Sequence, residues 1–356
     1  MEQTVSIPTH ERRSAAQAWL TVFVITVLSG FLGEAYGAVF YESSDADYYQ
    51  GFRTGASIGF ISAVIEVFYI RSVRRSWIRR VAFLPGLLVR ILVLTLIIRV
   101  CLVGNALLTD FLLGQEIGVE GSMAEEMRDT LFSMALVVLF VTLSQLGSVI
   151  GFRRFSNLVV GRYFRPVSEE RIFLFVDLID SSKLAREMGD LRFHNFLSEF
   201  FFQADASIVA TGGEIVSYVG DAVIVTWPLR DDPKRNADCL KALRLIDERM
   251  KQEAPSFEAE YGHRARFRAA LHGGPVVVGE CGDSRRQVTF LGDVVNMTAR
   301  IEQVSKDLGQ NFLASAEIVE RIEPLADTQF ERIGKFDLKG ADEKMELYAI
   351  RLTANA

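Results

Sequence analysis

The chain contains no lysine before Lys183. Residues 1–170 carry 15 Arg and 15 acidic residues, a net of 0. Residues 171–356 hold the remaining 39 − 15 = 24 basic and 45 − 15 = 30 acidic residues, a net of −6. An acidic carboxyl half argues against nucleic acid as a partner, because a phosphate backbone is bound by a basic face. Cysteine is also scarce. Cys101, Cys239 and Cys281 form no C-x-x-C pair and are odd in number, which argues against a disulfide framework or a zinc site. The 8 Pro and 27 Gly follow no G-X-Y period, so the chain is not collagen-like. Apolar residues are plentiful: 49% of the chain is hydrophobic, with 26 Phe, which excludes a disordered protein. Mean hydropathy of +0.20 is high for a soluble chain, yet 24% charge is too much for a pure membrane bundle. The composition therefore reads as an average over two unlike halves.

Four apolar runs fall in the first half, at roughly 18–40, 51–70, 85–113 and 130–152. Each approaches or exceeds the ~20 residues that span about 30 Å of hydrocarbon. The second is the weakest, interrupted by Arg53 and Glu66. More spans follow the first, which argues against a cleaved signal peptide. Arg12 and Arg13 precede the first run, and segment 41–50 is acidic. Segment 71–80 holds five Arg, 114–128 is acidic, and Arg153, Arg154, Arg162 and Arg165 follow the fourth run. This alternation predicts a four-helix membrane anchor or sensor over 1–152, in the inner (plasma) membrane, with both termini cytoplasmic. Glu34, Glu66 and Arg99 lie within the spans. They read either as a sensor for an unknown membrane or extracytoplasmic ligand, or as a structural pair in which Arg99 neutralises a glutamate. Residues 153–170 read as a helical linker that ends at Pro166, either a signal-transducing bridge or a passive spacer.

From residue 171 the pattern changes. RIFLFVDLI (171–179) predicts a buried strand. Asp180, Ser181 and Ser182 offer capping side chains, and a long amphipathic helix is expected to about Ala210. EIVSYV (214–219) and AVIVTW (222–227) predict a hairpin turning at Gly220-Asp221. A helix is expected over 232–256, two strands within 266–281 around Gly273-Gly274-Pro275, and a helix over 293–308. FDLKG (336–340) and MELYAI (345–350) read as late strands. The intermixing implies an α+β domain, a mixed sheet covered by helices. Asp177 within an apolar strand is costly to bury unpaired, and Asp221 sits at a hairpin tip. Alone, each aspartate reads equally well as a turn or cap residue. Two carboxylates on neighbouring strands favour a site for Mg²⁺.

The segments FVDLIDSS (175–182), YVGDA (218–222), LHGGPVVVGECG (271–282) and GDVVNMTARIE (292–302) carry a resemblance. Over about 171–352 the chain resembles the class III nucleotide cyclase catalytic domain, in the bacterial group with a membrane anchor before it. The resemblance implies that Asp177 and Asp221, helped by the Leu178 carbonyl, bind two Mg²⁺ or Mn²⁺ ions per site. It implies that Asn296 orients the ribose and Arg300 stabilises charge on the phosphoryl oxygens. Backbone N–H groups of Ile179, Asp180, Ser181 and Ser182 would hold the triphosphate, and Lys339 aligns loosely with a phosphate-binding lysine. Ser217 stands where the family's adenine-reading lysine lies, and Thr289 at its partner position. Neither shows the Glu and Cys of guanylate cyclases, so ATP is favoured over GTP. Asp180 replaces a common glycine of the phosphate loop, an acid beside a triphosphate unless it turns away as a cap.

In the family the metal aspartates and the asparagine–arginine pair come from different domains. This chain has one copy of each, so a homodimer with two shared sites is implied. The leading expectation is an adenylate cyclase. The alternatives are a guanylate or promiscuous nucleotidyl cyclase, and a catalytically inactive cyclase-like dimeric receptor. A diguanylate cyclase is excluded because Gly212-Gly213-Glu214 continues Ile-Val, not Glu-Phe.

Overall fold

The computed structural model describes residues 9–40, 45–65, 67, 83–113, 123–150, 161–283, 287–340 and 343–353. The chain divides into two compact units, Met1–Phe152 and Arg153–Ala356.

The first unit holds helices α1 (Thr9–Phe40), α2 (Asp45–Val64), α3 (Phe83–Leu113) and α4 (Met123–Ile150). Residues 45–50, expected in an acidic loop, instead form the first turns of α2. Among the described residues one helical stretch, Ala18–Phe40, has the length and apolarity to cross a membrane. Segment 71–80, Glu66 and Arg153–Arg154 lie outside the described residues. Helices α1 and α2 meet along a seam of small residues. Gly51, Gly55 and Gly59 recur every four positions and so share one face of α2. A Cβ at Gly55 would overlap the Ser29 carbonyl oxygen, and one at Gly33 the Gly51 carbonyl oxygen, so only glycine permits this backbone approach. Polar side chains tie the remaining helices. Arg53 Nε donates to Asn105 Oδ1 at 3.1 Å, and Tyr36 Oη to Asp129 Oδ1 at 2.6 Å. Arg99 Nη1 donates to Thr130 Oγ1 at 2.8 Å, a hydroxyl partner on α4 that the sequence reading did not anticipate.

In the second unit the strands are β1 (Val167–Leu178), β2 (Glu214–Val219), β3 (Ala222–Pro228), β4 (Phe267–Cys281), β5 (Gln287–Leu291), β6 (Phe312–Ser315), β7 (Thr328–Phe336) and β8 (Met345–Leu352). They form one sheet in the order β2-β3-β1-β4-β6-β8-β7, with β5 paired to β4. All pairings are antiparallel except β4 with β6, so the sheet is mixed. The helices are α5 (Ser181–Met188), α6 (Asp190–Ala210), α7 (Pro233–Asn236), α8 (Asp238–Tyr261), α9 (Asp293–Leu308) and α10 (Ala316–Val319).

The two faces of β1 explain its continuous apolar run. Ile172, Leu174 and Val176 pack with Phe196 and Phe200 of α6 and Leu240, Leu243 and Ile246 of α8. Phe173 points the other way, to Val276, Val278, Phe290 and Val294. Next to that second cluster, Met297 and Ile301 of α9 pack on Ala270, Leu313 and Leu347. A strand covered on both sides reads as unbroken hydrophobicity.

Four sequence expectations are corrected. The helical linker expected over 153–170 is not helical in its described part: 161–165 form a turn and 167–170 already belong to β1. The helix expected from Ser181 to Ala210 is two helices, broken at Gly189, whose φ of 77° a helix cannot hold. The segment 266–281 is one 15-residue strand rather than two. Pro275 falls after β6 pairing ends at Leu271 and before β5 pairing begins at Val277, so one edge of β4 has no ladder partner there. A missing N–H costs least at such a gap. FDLKG is the end of β7 and the turn after it, not a strand.

Arg171 at the start of β1 has only 5% of its side chain exposed. Its Nε donates to Glu169 Oε2 at 2.8 Å, an Nη to Tyr163 Oη at 3.1 Å, and Glu214 lies at 3.6 Å. Removing one partner of a buried ion cluster leaves the others uncompensated. Arg171→Met should cost about 3–5 kcal/mol, read as a lower denaturation midpoint. A loss under about 1 kcal/mol would mean that Glu169 and Glu214 remain solvated.

Candidate active site

Asp177 lies near the end of β1, in register with Ala222 of β3 and Arg268 of β4. The neighbouring residue in the hairpin turn before Ala222 is Asp221, so the ladder brings its carboxylate to Asp177. Half-burial, reinforced by the charges of Asp221 and Glu302, pushes the Asp177 carboxyl up to about 7, while Arg268 pulls it down. Burial likewise raises Glu302, with Arg268 opposing. The site is thus a set of three facing carboxylates with one nearby guanidinium, carrying more negative charge than its own residues neutralise.

Glu302 and Arg268 were not singled out from the sequence. Arg268 Nη1 lies 3.9 Å from Glu302 Oε1, with side-chain exposures of 12% and 19%. The signal that marked Asp177, a charge inside an apolar strand, is also present at Arg268 in RFRAALH. Glu302 sits within GDVVNMTARIE but was passed over for Asn296 and Arg300.

Leu178 closes β1 opposite Phe267. The Ile179 N–H donates to the Arg266 carbonyl at 2.9 Å, because the β1–β4 pairing reaches one residue further. It is therefore not free for a phosphate, a correction to the sequence expectation. Asp180, Ser181 and Ser182 open α5; the Lys183 and Leu184 N–H groups bond the Asp180 carbonyl at 2.9 Å, which leaves those of Ser181 and Ser182 without a helical partner. Asp180 does not cap with its side chain; its φ is 60°, which suits the common glycine and which Asp tolerates better than most residues. Its carboxylate turns to Arg266 at 3.2 Å.

Asn296 and Arg300 lie on α9, four residues apart and so on one face. The Arg300 guanidinium packs against the turn after β7. A Cβ on Gly340 would stand 3.0 Å from its Nη1, which brings Arg300 and the exposed Lys339 into one neighbourhood. Glu302, two residues further and about 200° around the helix, faces Asp177 instead. Among the described contacts none joins Asn296 or Arg300 to Asp177 or Asp221 of the same chain.

Ser217 is on edge strand β2, after a bulge between Ile215 and Ser217. Thr289 is on β5, opposite Gly279, with β3, β1 and β4 between the two strands in the sheet. Thr289 Oγ1 donates to the Gly279 carbonyl at 3.2 Å and also touches Cys281 Sγ at 3.2 Å.

A family model for the adenylate and guanylate cyclase catalytic domain matches residues 166–352. Adenylate cyclase 2 of Rhizobium meliloti (strain 1021) is 36% identical over 241 residues, covering 65% of this chain and 66% of that protein. The adenylate cyclase of Anabaena cylindrica is 29% identical over 212 residues, covering 57% of this chain and 40% of the relative. The chain thus spans less than two thirds of these relatives' lengths. The structure of a bacterial light-regulated adenylyl cyclase matches with a TM-score of 0.51 at 21% identity, over 62% of this chain and 66% of that one, a likeness of fold. The family match covers more than half of the residues and contains every element of the carboxylate site, and on that basis the chain belongs to the adenylate and guanylate cyclase catalytic domain family.

Proposed function

We propose that the protein is a membrane-anchored adenylate cyclase that converts ATP to 3′,5′-cyclic AMP and pyrophosphate at two sites shared across a homodimer. The observation that carries this reading is the division of α9. Glu302 faces the chain's own Asp177, while Arg300 faces the Gly340 turn, so one chain's helix does not supply both halves of one site. Apolar side chains support a second copy on the sheet: Val277 and Leu291, cross-strand neighbours, are 43% and 60% exposed.

The Asp177–Asp221 pair suits a divalent cation, since two uncompensated half-buried carboxylates gain by sharing positive charge. Among the described residues no group of three or more His, Cys, Asp or Glu is arranged for a metal, so the Leu178 carbonyl and substrate phosphates would complete the coordination. Mg²⁺ or Mn²⁺, two per site, would there acidify the ribose 3′-hydroxyl and offset charge on the triphosphate. The ribose 3′-oxygen forms a bond to the α-phosphorus, the bond to the bridging oxygen breaks, and pyrophosphate leaves. The partner's copy of Asn296 orients the ribose, and its copy of Arg300 donates to the phosphoryl oxygens as charge builds. The N–H groups of Asp180, Ser181 and Ser182, with Lys339 contributed like Arg300 by the second copy, hold the outer phosphates. The Asp180 carboxylate, drawn off by Arg266, then repels them less.

Thr289 supports adenine over guanine. Its hydroxyl hydrogen has the Gly279 carbonyl and Cys281 Sγ as acceptors, both at 3.2 Å, which leaves the oxygen to accept from the adenine 6-amino group; guanine presents an acceptor there. Ser217 lacks the charge and reach of lysine, so GTP is the competitor to test. The four helices of the first unit form the anchor. Outward apolar side chains such as Phe111 (84% exposed) and Val39 (73%) suit lipid rather than water. Incubating the full chain with ATP or with GTP, plus Mn²⁺, should yield cyclic AMP as the main product. No cyclic product from either would overturn the proposal, and a predominance of cyclic GMP would overturn its substrate.

A further inference from the structure

Glu302 is a half-buried carboxylate on the helix that carries Asn296 and Arg300, yet it points to the opposite flank of that helix. Its carboxylate meets the Asp177 carboxyl, but its Oε1 is buried without a hydrogen-bond partner, and its nearest cation is Arg268 at 3.9 Å. An acceptor left unfilled in this way is costly, so the pairing is not there to stabilise the fold. Arg268 has similar constraints. Its side chain is nearly nine-tenths buried, and its strand position is directly opposite Asp177, on the same face of the sheet. A buried guanidinium needs a carboxylate. Two lie beside it: Asp177 and Glu302.

We propose that Glu302 is a positioning residue whose carboxylate draws Arg268 away from Asp177, which keeps Asp177 and Asp221 open to a divalent cation. The inference rests on the metal reading above. Without the Glu302 charge, the Arg268 guanidinium has Asp177 as its adjacent partner. An Asp–Arg pair formed there would compete with the metal for the same oxygens and add a repelling positive charge beside it. The looseness of the Arg268–Glu302 pair fits this role. At 3.9 Å, with Oε1 unbonded, Glu302 holds Arg268 by charge rather than by a hydrogen bond at that oxygen. Asn296 and Arg300 sit on the other face of α9, so they are not the groups through which Glu302 acts.

The test is Mn²⁺ binding by the nucleotide-free full chain, read from the loss of the free-ion electron paramagnetic resonance signal. Circular dichroism confirms the fold of each variant. Glu302→Gln should weaken Mn²⁺ binding about tenfold. Combining it with Arg268→Gln should restore most of the lost affinity, because the competing cation is gone. If Glu302→Gln does not fold, Glu302→Asp takes its place. Its shorter arm reaches Arg268 less well, so it should bind Mn²⁺ several-fold more weakly, again with recovery on adding Arg268→Gln. Wild-type affinity in Glu302→Gln, or a loss that Arg268→Gln does not relieve, would overturn the role of Glu302. Asp177→Asn serves as the reference. If it binds Mn²⁺ as the wild type does, the metal reading itself fails, a result distinct from failure at Glu302.

Discussion

Asp177→Asn should lower turnover with ATP by about a thousandfold or more and, with metal removed by chelation, make the folded protein more stable above pH 7. The two effects have one origin. The wild-type carboxylate is held half-buried beside Asp221 and Glu302, which pushes it up to about 7. An aspartate raised in this way binds a proton more tightly when folded than when unfolded. Its contribution to stability is fully present below the unfolded value near 3.8 and is lost as pH rises through about 7. At pH 8 the metal-free enzyme therefore bears a charge it would be more stable without, and the neutral amide removes it. The variant should melt a few degrees higher than wild type at pH 8, and the gap should narrow towards pH 4. Thermal unfolding in chelator across that range checks the sign. A variant less stable than wild type at pH 8 would mean that Asp177 is a structural partner rather than a vacancy for a cation. Stability given up at a site in exchange for charge that the reaction needs is a common signature of function.

Arg300→Ala should reduce kcat by about a hundredfold to a thousandfold with little change in KM, because it removes charge complementarity that develops as the phosphoryl group is transferred. Its ground-state contacts are modest: Met297 Sδ at 3.7 Å and the open turn at Gly340. The fold should accordingly survive the change. Arg300→Lys should recover little, since a point charge does not reproduce a planar fork of donors. Steady-state kinetics with ATP separate the two parameters. A raised KM with unchanged kcat would move Arg300 from the transition state to plain substrate binding.

The legible parts of the fold were those where one local signal decides the answer. The run from Ile172 to Leu178 reads as a strand covered on both faces, and Asp177 stands out inside it. The hairpin around Asp221 and the helix 293–308 follow equally from short-range pattern. What escaped depended on neighbours distant in sequence. The continuity of β4 through Pro275 depends on where β6 and β5 pairing stops and starts, which the segment itself does not encode. The break at Gly189 lies in a sequence whose apolar spacing stays helical on both sides. Asp180 looked like a helix cap because capping is a local rule, but Arg266, 86 positions away, claims its carboxylate. Arg268 and Glu302 matter only because the sheet places one opposite Asp177 and α9 brings the other over it. In the first unit the small-residue seam was present at positions 51, 55 and 59, but an apolar-run reading weighs length and charge rather than size.

The most direct test of the shared site is complementation between two dead variants. Asp177→Ala and Asn296→Ala should each be nearly inactive alone. When the two are co-expressed, a mixed dimer pairs the intact Asp177 of one subunit with the intact Asn296 of the other, giving one working site and one doubly damaged site. With random pairing, half the dimers are mixed and half of their sites work, so cyclic AMP formation should recover to about a quarter of the wild-type rate. A mixture no more active than the sum of its two components would contradict a site built from two chains.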